Sequence, residues 1–160
     1  MIKYDVGTSF ATFHYDLNFI TIHGKSRYPG LYLWTREWKR MPVSIPPGCL
    51  LLQAGIMFEH LTGGYVTAGY HEVVYSEKTK DVVNKKLQEN KEGANHTMWR
   101  VSSTLFSHLR YDVDLTPLAE MQHLHDPAKA DKYKAMTAHA KLLEELQSIN
   151  LAPKMSILEK

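Results

Sequence analysis

The sequence predicts a mainly β protein with a helical tail. Three observations carry this: aromatic and β-branched runs recur through the first three quarters, Gly/Pro turn signals separate them, and the apolar period lengthens to three or four residues near the C-terminus. Short strands at regular spacing with such turns build sandwiches and barrels, jelly rolls included.

The elements follow in order. Phe10 to Asp16 and Asn18 to His23 have the residue types strands favour. Tyr28-Pro29-Gly30 is a turn. Leu31 to Thr35 and Met41 to Ile45 flank the charged stretch Arg36 to Arg40, which predicts a hairpin. After Pro46-Pro47-Gly48, Cys49 to Ala54 is nearly all apolar and predicts a strand buried on both faces. Gly55 to Leu61 predicts one helical turn, ended by Thr62-Gly63-Gly64, and Val66 to Tyr75 another strand. Nine of the sixteen residues 77–92 are charged, with both signs mixed, so this stretch predicts a solvated helix or insertion ending at Gly93. Met98 to Ser107 returns to strand character. Asp126-Pro127 reads as a helix start, because Asp caps free N–H groups and Pro suits the first helical position. Tyr133, Met136, Ala140, Leu143 and Leu146 then form an amphipathic stripe, stopped by Asn150 and Pro153, expected to pack on the β unit.

Composition narrows the class. At 160 residues, 44% hydrophobic and 22% charged, the chain reads as one ordinary globular unit. No apolar run is long enough to cross a bilayer. The first ten residues lack the basic and apolar regions of a secretory signal, and the single Cys49 excludes an internal disulfide, which predicts a reducing, cytoplasmic location. A net charge of +2 without a dense basic stripe argues against a nucleic-acid partner.

Nine histidines point instead toward metal chemistry. His14 and Asp16 lie two apart on a predicted strand and so project from one face. His71 sits in another predicted strand, beyond 54 intervening residues (17 through 70). Two histidines and a carboxylate suit one face of an octahedral metal, as in non-haem Fe(II) oxygenases. A closed zinc site needs a fourth ligand, for which Cys49 is the candidate, although its Leu50-Leu51-Leu52 neighbours favour a buried packing role. Arg100 and Ser102 share the face of a third predicted strand, and a guanidinium beside a hydroxyl grips a carboxylate. Each piece alone has a plain structural reading: strand histidines are ordinarily hydrogen-bonded core residues, and R-x-S on a strand is ordinarily a surface pair. His23, His60, His123 and His125 keep that reading, and Trp34, Trp38 and Trp99 are expected in the core or an interface.

The order of the three constellations carries a resemblance. HYDLNFITIHGKSRYPGLYLW (14–34), MPVSIPPGCLLLQAG, LTGGYVTAGYHEVV and RVSSTLF resemble the Fe(II)/2-oxoglutarate-dependent dioxygenases, in particular the isopenicillin N synthase-like branch, over about residues 10 to 118. The resemblance implies a double-stranded β-helix (jelly roll) core with a C-terminal packing helix. It implies that His14, Asp16 and His71 ligate Fe(II), and that Arg100 and Ser102 hold 2-oxoglutarate. With O2, the enzyme would oxidise a small-molecule substrate and release succinate and CO2. It divides the chain into a core, 1–118, carrying a charged insertion at 77–97, and a loop and helix, 119–160. His71 and Arg100 stand 28 residues apart (72 through 99), where the family keeps a short gap. Ile56 and Glu72 replace the family's usual Asp and Arg. Only thirteen residues precede His14, so a first core strand and the family's N-terminal region have no visible counterpart. That motivates an alternative, a truncated, non-catalytic dioxygenase-like domain, and in either case a homo-oligomer that covers the exposed sheet. A cupin-like metal-dependent isomerase or hydrolase is the third reading.

Overall fold

The computed structural model describes residues 4–125 and 127–152. Its described residues form two units: residues 4–16, 21–53 and 69–106, and residues 17–20, 54–68, 107–125 and 127–152.

The first unit holds all of the strand residues except Ile20, Ala54 and Ser107. β1 (Ser9–His14), β2 (Ile20–His23), β3 (Leu31–Trp34), β4 (Arg40–Pro42), β5 (Leu51–Ala54), β6 (His71–Val74) and β7 (Thr104–Ser107) form a four-stranded sheet, β1-β6-β3-β4, and a three-stranded sheet, β5-β2-β7. The pairings of the larger sheet are antiparallel. β3 and β4 form the expected hairpin, with Trp34 opposite Arg40. β4 is an edge strand, where Pro42 deprives no ladder of an N–H. β1 pairs with β6 through two register irregularities that leave His14 directly opposite His71. Gly30, at φ +133°, opens β3 where a Cβ would stand 2.4 Å from the Val74 carbonyl oxygen. Only a residue without a side chain fits that crossing.

The charged stretch is helix α2 (Glu77–Lys91), capped by Ser76 and Thr79 in a reciprocal capping box. The Thr79 hydroxyl also donates to the Pro29 carbonyl at 3.1 Å, and Lys86 Nζ lies 4.7 Å above the Tyr28 ring. The helix is therefore fastened to the Tyr28-Pro29-Gly30 turn. After Gly93, at φ +100°, residues 94–103 return as extended chain outside any strand.

In the second unit, α1 (Ile56–Leu61) carries buried Ile56, Met57, Glu59 and His60. Glu59 accepts hydrogen bonds from the Ala68 amide, Lys132 Nζ and the Tyr133 hydroxyl at 2.7–2.9 Å. Burial pushes its carboxyl up, but Lys132 and these other donors outweigh that and hold it below the usual range. Pro127–Lys132 is a 3-10 turn, and the tail helix α3 is Ala138–Ser148, capped by Thr137. The expected helix start at Asp126 and stop at Pro153 lie outside the described residues. Tyr133 and Met136 precede α3: residues 111–115 hydrogen-bond to the backbone of 136–139, and this pairing takes Met136 out of the helix. Asn150, at φ +59°, follows the helix end.

Two burial expectations are corrected. β5 is not buried on both faces: Leu50 and Leu52 are 65% and 66% exposed, while Gln53 between strand neighbours is buried. Cys49 is exposed as well. The reason is alternation: one face of β5 turns toward polar partners and the other is left open. Trp38 and Trp99, expected in the core or an interface, are exposed and so lie outside the core.

Candidate metal centre

The buried residues of the first unit include an unusual share of polar ones: Asp16, Thr21, Gln53 and His71. Buried polar groups are tolerated when they bond to one another, and these do. Asp16 Oδ2 accepts from the Thr21 hydroxyl at 2.6 Å and from the Gln53 amide at 3.1 Å. Its other oxygen, Oδ1, faces His14 Nε2 at 3.6 Å and His71 Nε2 at 3.9 Å. The ligand atoms of the three residues lie within 4.8 Å of one another.

Each side chain is set by its backbone. The β1–β6 ladder places the two histidine rings 4.2 Å apart. Asp16 lies two residues beyond the end of β1 rather than on it, and the Thr21 and Gln53 bonds turn it inward. His14 Nδ1 donates to the Thr12 carbonyl at 2.5 Å, which leaves its Nε2 lone pair free. His71 Nδ1 has two neighbours: the Gly69 carbonyl at 3.0 Å and the Gln53 amide nitrogen at 2.9 Å. Donation to Gly69 places the proton on Nδ1 and exposes the lone pair at Nε2, the tautomer a metal needs. Burial, together with nearby His14, pulls His71 below the ordinary histidine range and keeps it neutral against the opposing pull of Gly69 and Asp16. Two imidazoles and one carboxylate thus present three converging lone pairs, with His14 on the exposed side.

A cavity of about 550 Å³ opens over these three residues. Arg100 and Ser102 both line it, although neither lies on a strand; the predicted strand is shorter, because only Thr104–Ser107 pairs with a neighbour. The Gly24 amide donates to the Ser103 carbonyl at 2.8 Å and pins the extended segment beside β2. α2 explains the 28-residue gap: the chain leaves β6, forms the helix, and returns to the same cavity. Arg100 Nε is buried without a hydrogen-bond partner, and so is His23 Nε2, which also lines the cavity. Burial lowers the Arg100 guanidinium from its ordinary value, and it remains charged. Burial likewise lowers His23, with His71 adding to the effect. A guanidinium lining the cavity suits an anionic oxygen ligand there. His60, in contrast, bonds to the Lys134 carbonyl at 2.7 Å and serves the second unit.

Sequence reasoning missed Gln53, which read as part of an apolar run. Its signal was present: one amide at the end of Leu50-Leu51-Leu52.

No known family profile matches the sequence, and no curated protein matches it either. Solved structures do. A putative 2OG-Fe(II) oxygenase family protein from Caulobacter crescentus is 25% identical, with a TM-score of 0.66, over 92% of this chain and 42% of that one. A full-length Neurospora crassa protein, solved in complex with alpha-KG and 5-formyluracil, is 14% identical (TM-score 0.63, 89% of this chain, 40% of that one). The dioxygenase for auxin oxidation from rice is 17% identical (TM-score 0.63, 91% and 42%). The chain has the fold of the Fe(II)/2-oxoglutarate-dependent oxygenase superfamily. It spans about two fifths of the length of these structures.

Proposed function

We propose that this chain is the catalytic core of an Fe(II)- and 2-oxoglutarate-dependent oxygenase that oxidises a small molecule and releases succinate and CO2. The observation that carries the reading is one cavity lined by the three residues with converging ligand atoms and by Arg100, whose Nε has no hydrogen-bond partner. On this reading His14, Asp16 and His71 hold Fe(II) by Nε2, Oδ1 and Nε2. When bound, the metal supplies the oxidising chemistry, coupling O2 reduction to decarboxylation of 2-oxoglutarate and oxygenation of the substrate. The chain's own residues bind and orient. Arg100 and Ser102 take the distal carboxylate of 2-oxoglutarate. Gln53 and Thr21 fix the aim of Asp16, and Gly69 fixes the His71 tautomer. The isopenicillin N synthase-like branch, a closed jelly roll across residues 1–118, a separate 119–160 tail and a cytoplasmic setting belong to the same proposal. No described helix is long and apolar enough to cross a membrane.

Anaerobic titration with Fe(II) and 2-oxoglutarate tests the reading. The expected result is the weak visible charge-transfer band of the chelate, lost in His71→Ala. Absence of a band from the wild-type chain refutes it.

A second reading rests on a different surface. Leu50, Leu52 and Leu105 are 61–66% exposed, whereas Gln53 turns to Asp16 and Thr104 and Phe106 line the cavity. This open apolar face suits a second copy of the chain, in a homo-oligomer that is either the enzyme or a non-catalytic binding domain. Sedimentation as a monodisperse monomer argues against it. Succinate formation coupled to O2 uptake excludes the non-catalytic form.

A further inference from the structure

The charge of the cavity is unbalanced. Lys25, Arg27 and Lys78 line it in addition to Arg100, and Asp16 is the one carboxylate among the described lining residues. The described ion pairs engage other lysines and arginines, so these three carry no carboxylate partner among the described residues. They come from separate segments: Lys25 and Arg27 from the loop after β2, Lys78 from the first turn of α2. The Thr79–Pro29 and Lys86–Tyr28 contacts hold these segments together. Ser76, the α2 N-cap, lines the cavity too, so the positive end of the helix lies on the same side.

Under the oxygenase reading, Fe(II), Asp16, doubly charged 2-oxoglutarate and Arg100 balance to zero. Lys25, Arg27 and Lys78 are then surplus to the cofactor. A five-carbon diacid fills only part of about 550 Å³, and the remaining wall includes apolar Phe10, Tyr32, Val43, Ile45 and Phe106. A cavity with an apolar wall and like charges at its mouth concentrates anions of matching shape.

We propose that the substrate is an amphiphilic acid, with an apolar body in the cavity and an anionic group received by Lys25, Arg27 and Lys78. The inference rests on the oxygenase reading for the fate of the substrate, and its binding test does not need turnover. Isothermal titration of the full chain, anaerobic with Fe(II) and 2-oxoglutarate, compares matched probes: phenylacetate with phenylacetamide, hexanoate with hexanamide, and phenyl phosphate with phenol. The expected result is that an anionic probe binds about tenfold more tightly than its neutral partner at low salt, with the advantage shrinking as salt is added. The pair showing the advantage distinguishes a carboxylate from a phosphate. Lys25→Gln/Arg27→Gln/Lys78→Gln should abolish the advantage and leave the chelate band and Tm in place; if the triple variant does not fold, Lys78→Gln alone should reduce the advantage. Equal binding of charged and neutral partners, binding of no anionic probe, or an advantage that survives the substitutions overturns the proposal. A missing chelate band with the anion advantage intact overturns the oxygenase reading instead.

Discussion

Replacing Gln53 by leucine keeps the volume of the side chain and removes its hydrogen bonds. The amide donates to Asp16 Oδ2 at 3.1 Å, and both residues are buried. A hydrogen bond to a charged acceptor contributes about 1.5–3 kcal/mol. Asp16 keeps its 2.6 Å bond from Thr21, so the loss should fall near the lower end, about 1.5–2 kcal/mol. In a chain of 160 residues that is a Tm decrease of about 3–8 °C in metal-free protein. The aim of Asp16 also loosens, and loss of such an outer-shell bond weakens metal binding about 10–100-fold. Scanning calorimetry in chelator and isothermal titration with Mn(II) read the two effects separately. Gln53→Glu is the companion: it keeps the shape but sets a second carboxylate against Asp16, so it should destabilise more at about pH 8 than at about pH 5. A leucine variant within about 1 °C of wild type that binds Mn(II) within about twofold would refute the assigned role.

Gly30→Ala should destabilise by at least about 1–3 kcal/mol from the backbone conformation alone, because φ is +133° and the new Cβ meets the Val74 carbonyl; a lower urea midpoint with unchanged slope checks this. His60 predicts a pH dependence. Burial, assisted by Lys141, lowers its pKa in the fold against the Lys134 bond, so below about pH 6.5 the unfolded chain takes up a proton that the folded chain resists. Stability should therefore be full above that pH and fall as the pH drops through it, and the fall should be shallower in His60→Gln, measured by Tm across the range.

The candidate ligands were legible in part because strand alternation is a local rule, whereas the β1–β6 ladder that joins His14 to His71 is long-range. His14 and His71 needed only the right face and a shared ladder. Asp16 reached the same place by another route, held by Thr21 and Gln53 after its strand had ended. Gln53 was obscured because an apolar run hides which of its faces is inward, and the exposure of Leu50, Leu52 and Cys49 escaped notice for the same reason. Arg100 was found on a residue pattern, yet its position depends on α2, whose mixed charges suggested only a solvated surface. Charge content tells that a helix is wet; it does not tell that Thr79 and Lys86 fasten it to a turn across the sheet. The start of α3 moved because backbone pairing of residues 111–115 with 136–139 competes with helix propensity, a long-range effect that no local period reveals.

The pairing of β1 with β6 has a consequence for biosynthesis. β1 is translated before its partner β6, which follows only after β2, the β3–β4 hairpin, β5 and α1 have been made. At about 5–20 residues per second, His14 waits roughly 3–12 s for His71 to be translated. During that interval the nascent chain presents His14 and Asp16 without His71, and β1 without its β6 partner. On the oxygenase reading the ligand set is complete only once β6 has been translated, and β1 lacks its partner strand until then.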